Sequence, residues 1–572
     1  MIFSLGHGQQ VVMLGRTAAA AVEAPAPARP DTVPFASVYP GTSAAAAVET
    51  EAQPPVPFGP FAYMFPGAAG VPHSADAAAR LDAVAASMVE GAPGAQVSTL
   101  APVLTYFGQF IDHDITVTVD RDAILTRIDG DLAPVARADA AATIKNGLTG
   151  SLRLDSLYGD TPGSNPVKDK LLELMRDPAD RDKMRLGRTS PVGGNIPFPQ
   201  DGRADLLRLV DLLGNGIEEA EIMALPAAER AAFLNGQTIR GQLAIVGDGR
   251  NDENLIVAQL HVAMLRFHNA VVDALPAGGD RFRRAQSEVL RTYQWFVANV
   301  FLPAICDPAI LQAVKDDEAP LYARFREQSG GGMLPLPFEF SVGAYRFGHS
   351  MIRGRYDHNR IFPQARFEEL FLFTGRGDGP MAGLDTLPDN WPIEWDRFIA
   401  ADPANPIRSA RPIDTQLASA LDDMLNEPPG IFKSLARRNL RRGHRLDLPC
   451  AQAILEAVNA DRADPIAPLS AAQLSDGRAG PAIAAGGFAE RTPLWYYVLR
   501  EAELGGGNRL GPLGSLIVAE TLIGLLVQDP DSVWHVSGSG PDGRWHPDDG
   551  VKPNGEAVTD FASLFRAAGV LG

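Results

Sequence analysis

Residues 108–116, GQFIDHDIT, place a histidine between two aspartates directly after apolar and aromatic residues. Such a triplet is costly in a core unless each charge has a partner, and its side chains are too close in sequence to share one metal ion. On a helix, Gln109, Asp112 and His113 share one side, whereas Asp114 points about 100° away. The pattern therefore predicts two adjacent sites, one around His113 and another at Asp114.

A second polar group stands in GDGRNDENLIVAQLHVAMLRFHN, where Arg250, Glu253 and Asn254 follow at helical spacing. At positions i, i+3 and i+4, these side chains share one face at the start of a long amphipathic helix. A solvated, charged first turn is the alternative interpretation. His261 and His268, further along the same helix, are interpreted as packing or hydrogen-bonded structural residues.

A third candidate lies in EFSVGAYRFGHSMIRGRY, where His349 follows Gly348 in an apolar helix. A residue without a side chain next to a histidine leaves room for a flat cofactor to approach closely. Arg346 stands three residues before His349 and faces a similar side. Alternatively, His349 is a core residue whose ring bonds a backbone carbonyl.

These residues need helices to position them, and the strongest segments have a helical pattern. Apolar residues recur every three to four positions in PVLTYFGQFIDHDI, ENLIVAQLHVAMLRFHNAVVDAL, FRRAQSEVLRTYQWFVANVFLPAI, PFEFSVGAYRFGHSMI and PLGSLIVAETLIGLLVQDP. The connections are long and rich in Gly, Pro and Asp, as in TGRGDGPMAGLDTLPDNWP. The sequence therefore predicts a mostly α-helical fold with long loops, in one large domain over residues 61–572.

Residues 1–60 are Ala/Pro-rich with few large apolar side chains, which predicts a flexible arm rather than a packed domain. The opening MIFSLGHGQQVVML has no basic stretch, and polar residues interrupt its apolar run, so it does not resemble a signal peptide. Two cysteines, Cys306 and Cys450, build no disulfide framework. A cytoplasmic or non-classically secreted protein is therefore expected.

The charge of the chain limits its partners. The 572 residues carry a net charge of −18, with a sequence pI near 5.0. This balance argues against nucleic acid or an anionic membrane as the main partner. No apolar run reaches the roughly 20 residues of a transmembrane helix. The oligomeric state is not readable from the sequence.

The three histidine-bearing segments suit a zinc site poorly, because zinc ligation by histidine favours tight spacing such as H-E-x-x-H, which the chain lacks. The chain also lacks G-x-S-x-G, a P-loop and a G-x-G-x-x-G that opens a helix. The arrangement does suit a haem held between helices. One histidine would then be the iron ligand, and the other would act with the arginine on peroxide at the opposite face.

Seven segments, in order, resemble the animal-type haem peroxidases of the peroxidase–cyclooxygenase superfamily, and look most like their bacterial members. The segments are YFGQFIDHDIT, GSLRLDSLYGD, GDGRNDENLIVAQLHVAMLRFHNAVVD, EFSVGAYRFGHSMI, SLARRNLRRGHRLDLPCAQAI, TPLWYYVLREAE and LGPLGSLIVAETLIGLL. The resemblance covers roughly residues 60–570. It implies the fold of that family, a large helical domain with long loops around a buried haem.

The resemblance also implies roles for single residues. His113 would be the distal histidine, with Gln109 one turn before it on the side that binds peroxide or halide. Arg250 would be the distal arginine. His349 would be the proximal iron ligand, and Asn439, in RRNLRR, would be its hydrogen-bond partner.

Further residues would hold the haem itself. Arg346 and Arg442 would bind its propionates. Asp112 and Glu253 match the two carboxylates that form ester bonds to haem methyl groups in this family. Asn254 stands where one mammalian subgroup has a methionine that makes a sulfonium link, so two ester links are the most that the resemblance implies here.

The resemblance implies a haem-dependent peroxidase, suited to a response to oxidative stress. It would reduce hydrogen peroxide through compound I and then oxidise halides, pseudohalides or small aromatic donors. A fatty-acid dioxygenase is one alternative. Those enzymes place a radical-forming tyrosine three residues before the proximal histidine, where this chain has Arg346, and Tyr345 is predicted to face another side of the helix. A non-catalytic haem-binding protein is the other alternative.

The family also binds calcium next to the distal histidine. Here the ligands would be Asp114, Thr149, the carbonyl of Ser151 and Asp155, but Arg153 stands where the family usually has an aspartate. A guanidinium cannot ligate a cation. Arg153 is therefore predicted to reach Asp114 and Asp155 and to replace the ion with a salt-bridged cluster. In the competing view, Asp155 supplies the missing carboxylate and Arg153 turns outward.

Overall fold

The structure is a computed structural model that describes residues 1–4, 11–14, 59–91, 97–120, 125, 127–130, 132–159, 165–192, 201–375, 385–425, 427 and 429–571. Within these residues the protein is mostly helical, with short 3₁₀ segments, π segments and strands between the α-helices. The predicted fold class is therefore confirmed. Buried apolar side chains from both ends of the described chain join in one cluster.

The α-helices, numbered in chain order, are α1 Ala77–Ser87, α2 Pro102–Ile115, α3 Arg137–Thr143, α4 Asp155–Tyr158, α5 Pro166–Leu174, α6 Glu219–Met223, α7 Ala227–Arg230, α8 Leu255–Ala274, α9 Arg281–Phe296, α10 Leu302–Ile305, α11 Pro308–Asp316, α12 Pro320–Gln328, α13 Leu435–Arg445, α14 Ala451–Asn459, α15 Ala471–Leu474, α16 Gly480–Ala485, α17 Leu494–Leu504, α18 Pro512–Gln528 and α19 Phe561–Ala567. Of the irregular segments, those near the site are the 3₁₀ turn Gly249–Asp252, the π segments Val297–Phe301 and Glu339–Gly343, and the 3₁₀ segment Ala344–Met351.

The strands are short and lie in small sheets. They are β1 Ile2–Ser4, β2 Val11–Met13, β3 Gly59–Ala62, β4 Thr118–Asp120, β5 Ile144–Asn146, β6 Leu234–Asn235, β7 Thr238–Ile239, β8 Leu336–Pro337, β9 Arg355–Tyr356 and β10 Ala365–Arg366. The largest sheet has the order β4-β5-β3-β8, in which β3 and β8 are parallel and the other pairs are antiparallel. The remaining strands form antiparallel pairs, β1 with β2, β6 with β7, and β9 with β10.

The N-terminal residues differ from the expected flexible arm. β1 and β2 pair, and the side chains of the first three residues are buried. The backbone N–H of Ile2 donates to the carbonyl of Gly247 at 2.9 Å, so this hairpin packs behind the turn that carries Arg250. The rest of the predicted arm, residues 5–10 and 15–58, lies outside the described residues.

Helix α2 has the bounds that its apolar pattern predicts. It begins with Pro102 in its first turn and ends where Thr116 takes extended backbone angles. Gly108 in its middle lets aromatic side chains come close. A Cβ there would lie 3.1 Å from the ring of Phe301 and 3.8 Å from the hydroxyl of Tyr345. α2 packs directly against α8.

Helix α8 begins later than its pattern suggested. Residues 249–252 form a 3₁₀ turn, and Asn254 is the N-cap, because its side-chain oxygen accepts from the N–H groups of Ile256 and Val257 at 3.1 Å each. Asparagine favours this capping geometry over a place inside a helix. Arg250, Glu253 and Asn254 therefore precede the α-helix and are not part of its turns.

The segment that carries His349 is helical but is not a regular α-helix. A π segment, Glu339–Gly343, is followed by the 3₁₀ segment Ala344–Met351. At the junction, a Cβ on Gly343 would lie 2.8 Å from the side chain of Leu494, so only glycine fits there without movement. At three residues per turn, Arg346 and His349 fall on one side of the segment.

One helix among the described residues, α8, is long and apolar enough to cross a membrane. Of its most apolar stretch, 83% is buried inside the protein. α8 is therefore an internal helix of the domain.

Candidate active site

All nine residues predicted to surround a cofactor line a single cavity. The space between its walls is about 1150 Å³, part of it open to solvent. The nine residues are Gln109, Asp112, His113, Arg250, Glu253, Arg346, His349, Asn439 and Arg442. Segments far apart in the sequence thus meet at one place.

His113 projects from α2 and is buried. Its Nδ1 donates to the side-chain oxygen of Asn251 at 2.9 Å. Burial lowers the pKa of His113, and the positive charge of Arg250 lowers it further. At neutral pH the imidazole is therefore uncharged, with its proton on Nδ1, and Nε2 can accept another proton.

Arg250 is clamped by Asp248. Nε of Arg250 lies 3.1 Å from both carboxylate oxygens, and Nη2 lies 2.6 Å from Oδ2 and 2.9 Å from the carbonyl of His113. Burial alone would lower the pKa of Arg250, but Asp248 outweighs it and the pKa is raised. Arg250 therefore stays charged and fixed beside His113.

The alternative interpretation of this turn, a solvated and charged first turn, is wrong. Arg250 and Glu253 are each 3% exposed, and Asn254 is 5% exposed. Asn254 also reaches α2, where its Nδ2 donates to Oε1 of Gln109 at 3.1 Å. Because the oxygen of Asn254 caps α8, its amide nitrogen is directed at Gln109 and holds that side chain one turn before His113.

His349 contributes from the segment Ala344–Met351, and its partner Asn439 projects from α13. Nδ2 of the Asn439 amide lies 3.0 Å from Nδ1 of His349. With the amide rotated by half a turn, its oxygen would face the ring, Nδ1 would donate to it and Nε2 would be left as the acceptor nitrogen. A Cβ on Gly348 would meet no atom within 4 Å, so the space beside His349 is open.

The donor set of this cavity fits a haem. A flat cofactor between the two histidines would have an imidazole ligand on one face and a base beside a cation on the other. The open space at Gly348 is where such a cofactor would pass close to the backbone. Two predicted haem-holding groups are also neighbours, since Nη1 of Arg346 lies 3.9 Å from Oδ2 of Asp112.

Two further cavity residues, Tyr345 and Arg438, were not predicted from the sequence. Tyr345 was expected to face another side, but it lines the cavity, where its hydroxyl donates to the carbonyl of Gly108 at 3.1 Å. Arg438 is buried and pairs with Glu427 at 3.2 Å. Its place in the run ARRNLRR gave no signal, because nothing in that run marks which arginine faces inward.

The second predicted site, at Asp114, differs from its prediction. The carboxylate of Asp114 accepts from the backbone N–H groups of Leu154 at 3.0 Å and Ser156 at 3.3 Å. Burial raises the pKa of Asp114 to about 7, and the nearby charge of Asp155 adds to the effect.

The prediction that Arg153 forms a salt bridge with Asp114 is wrong. Nη2 of Arg153 lies 3.3 Å from Asp529, a carboxylate whose side chain is only 5% exposed. Leu154 has a left-handed φ of 58°, which turns backbone N–H groups toward Asp114 in place of the arginine side chain. The guanidinium of Arg153 pairs with the buried carboxylate of Asp529 instead.

The other predicted calcium ligands lie in the loop before Arg153. The hydroxyl of Thr149 is buried and has no hydrogen-bond partner among the described residues. The carbonyl of Ser151 accepts from the N–H of Arg153 at 3.0 Å. In the described part of the chain, no hydrogen bond joins Asp114 to Thr149 or Ser151.

Part of the chain matches a known protein family. Residues 210–374 match the family model of the animal haem peroxidases, a segment that includes Arg250, Glu253, Arg346 and His349. A peroxidase-like protein of Margaritifera margaritifera is 26% identical over 294 residues, which is 47% of this chain and 35% of that protein. A chorion peroxidase of Drosophila melanogaster is 31% identical over 126 residues, 20% of this chain and 15% of that protein. The matches thus span about a third or less of the length of these relatives.

A solved structure shows the same fold over most of the chain. Peroxidase A from Dictyostelium discoideum superimposes with a TM-score of 0.53, covering 90% of this chain and 94% of that one. The two sequences are 16% identical, so this likeness concerns the fold.

Proposed function

We propose that the chain is a haem-dependent peroxidase of the animal haem peroxidase family, which reduces hydrogen peroxide and oxidises a second substrate. The observation that carries the proposal is the cavity itself. His113 lines the cavity from α2, and Arg250 lines it from the turn before α8. His349 lines it from the segment Ala344–Met351, and Asn439 lines it from α13.

The proposal assigns the binding of haem to His349, Arg346 and Arg442. Bound haem would supply the iron that takes up the oxidising equivalents of peroxide. His349 would hold that iron through Nε2, since Asn439 engages Nδ1 and orients the ring. An amide polarises an imidazole less than a carboxylate does, so His349 would keep little imidazolate character.

The proton chemistry would fall to His113. Nε2 of its uncharged ring would take the proton from one peroxide oxygen and return it to the departing oxygen. Arg250, held beside His113 by Asp248, would stabilise the negative charge that develops on that oxygen. Gln109, fixed by Asn254, would stand on the side where peroxide or a halide binds.

The second substrate is proposed to be a halide, a pseudohalide or a small aromatic donor. Purified, haem-loaded protein is mixed with hydrogen peroxide and, in separate assays, with guaiacol, bromide, iodide or linoleate. We expect peroxide-dependent oxidation of guaiacol or of a halide. Oxygenation of linoleate without donor oxidation would instead identify a dioxygenase, and no turnover of any donor would identify a protein that only binds haem.

We also propose that Asp112 and Glu253 form ester links to haem during turnover. Both carboxylates line the cavity and are therefore within reach of a cofactor that fills it. Extraction with acidified organic solvent after exposure to peroxide should leave haem on the protein, and the variant Asp112→Asn with Glu253→Gln should release it. Complete release from the unaltered protein would show that the two carboxylates only form hydrogen bonds.

Calcium binding at Asp114 and Asp155 is a further proposal, with Thr149 and the carbonyl of Ser151 as additional ligands. Burial raises the pKa of Asp114, the charge of Asp155 raises it further, and a divalent cation would offset both effects. The unpartnered hydroxyl of Thr149 is an oxygen donor of the kind that calcium accepts. Arg153, which was predicted to replace the ion, lies against Asp529 instead.

A further inference from the structure

A row of three hydrogen-bonded, buried side chains runs from the cavity into the core behind it. Nδ1 of His113 donates to Oδ1 of Asn251 at 2.9 Å, and Nδ2 of Asn251 lies 3.1 Å from Nδ1 of His261. His113 is 3% exposed and the other two are fully buried. Each of these contacts decides which nitrogen of an imidazole ring carries the proton.

We propose that Asn251 is a positioning residue that holds His113 in the tautomer with an unprotonated Nε2 toward the cavity, and that His261 fixes the orientation of the Asn251 amide. This inference rests on the proposed function, in which Nε2 of His113 takes a proton from peroxide. Neither Asn251 nor His261 lines the cavity, so both would act only through His113.

The backbone around Asn251 supports a positioning role. Asn251 lies in the 3₁₀ turn Gly249–Asp252, where its N–H donates to the carbonyl of Asp248 at 3.0 Å. The preceding residue, Arg250, donates to the carbonyl of His113. Adjacent residues of one turn therefore hold both the backbone and the ring of His113, which couples the position of the base to that of the cation.

The role of His261 follows from the shape of an amide, in which the oxygen and the NH₂ group occupy similar positions. Rotated by half a turn, Asn251 would present its NH₂ group to Nδ1 of His113, and the proton of that ring would move to Nε2, where it would block the base. His261 opposes this rotation in the tautomer whose Nδ1 accepts from Asn251, because the amide oxygen then faces His113. Burial lowers the pKa of His261 to about 3, which keeps its ring uncharged and able to accept.

The tautomer can be measured directly. Haem-loaded protein with ¹⁵N-labelled histidine, in the diamagnetic ferrous carbonyl form, gives distinct ¹⁵N shifts for the two tautomers, and His113→Gln identifies the His113 signals. We expect the Nδ1-protonated form in the unaltered protein. Asn251→Leu should increase the Nε2-protonated form. Asn251→Asp should preserve the native tautomer, because a carboxylate also accepts from Nδ1.

A kinetic readout accompanies the spectra. Asn251→Leu should slow the reaction with peroxide by about 10- to 100-fold, the usual effect of removing a group that orients a functional imidazole, with haem absorbance retained. Asn251→Asp should restore most of the rate, and His261→Phe should lower it by less than Asn251→Leu does. Asn269→Leu makes the same change at a residue of α8 that does not line the cavity, and this variant should react like the unaltered protein.

Two results would overturn the inference: a His113 ring protonated on Nε2 in the unaltered protein, or an unchanged tautomer and rate in Asn251→Leu. If Asn251→Leu does not fold, the tautomer in His261→Phe and Asn251→Asp decides in its place. An unaltered protein that shows the expected tautomer but does not react with peroxide would refute the proposed function and leave the positioning role supported.

Discussion

His113 and Arg250 illustrate at the residue scale how a buried cation can serve a neighbouring base. Arg250 is neutralised by Asp248, so its charge is tolerated inside the protein. The same charge helps to keep His113 unprotonated, which is the form that can accept a proton. Two side chains that would repel each other as cations thus become a base and an electrostatic stabiliser.

The pH dependence of the peroxide reaction should reveal the lowered pKa of His113. Its ordinary pKa is 6.5, and burial and Arg250 both lower it. The active form is unprotonated, so the rate falls as pH drops through the lowered pKa, and the acid limb should lie below pH 6.5. The measurement is kcat/KM for peroxide against pH. Arg250→Gln removes one cause and should move the limb upward, whereas an acid limb at or above pH 6.5 in the unaltered protein would contradict this explanation.

At the scale of elements, the turn between Gly247 and α8 connects several walls of the site. Asp248 holds Arg250, Asn254 holds Gln109, and Asp252 faces away from the cavity into a buried ion cluster with Arg208. Arg208 also pairs with Asp205, and its side chain is 2% exposed. The cluster therefore anchors the turn from behind.

Removal of the cation from this cluster should destabilise the protein. Arg208→Met leaves two buried carboxylates without their partner, which typically costs about 3–5 kcal/mol. The free energy of unfolding, measured with denaturant, should fall by that amount. Arg283→Met is the control, because the Arg283–Asp280 pair is exposed and such pairs contribute at most about 1 kcal/mol. Equal losses in the two variants would show that the buried cluster does not anchor the turn.

The sequence predicted these elements unevenly. Regular apolar spacing located α2, and the resemblance to a known family supplied the nine residues that line the cavity. Helical spacing failed where the backbone leaves the α-helical period, so the 3₁₀ turn before α8 was missed. Asn251 was missed for another reason, since its partners, His113 and His261, become neighbours only when α2 packs against α8.

At the scale of the whole molecule, contacts between distant segments decide what a local motif can do. Arg153 lies in the loop where the family resemblance implies a calcium site and was predicted to replace the ion, yet its partner Asp529 lies just beyond the end of α18. The N-terminal hairpin, expected to be part of a flexible arm, packs behind Gly247. Neither contact has a signal in local sequence, because each depends on packing between remote parts of the chain.

Calcium content tests how this long-range pairing affects the Asp114 site. We expect close to one calcium per chain by elemental analysis, and a lower melting temperature after treatment with a chelator. Arg153→Ala should keep the ion, because the guanidinium of Arg153 already lies against Asp529. Calcium must displace a proton from Asp114, whose pKa is about 7 without the ion, so affinity should weaken as pH falls below that value. Protein that contains no calcium would refute the proposal.

The central claim is that His113 and His349 act on opposite faces of a bound haem, with His113 as the base that initiates peroxide cleavage. Stopped-flow absorbance of the ferric, haem-loaded protein mixed with hydrogen peroxide tests it most directly. The variant His113→Ala should keep the haem absorbance of the unaltered protein and should react at least about 10²-fold more slowly, the usual contribution of a general acid–base group. Equal rate constants in the two proteins would contradict the account.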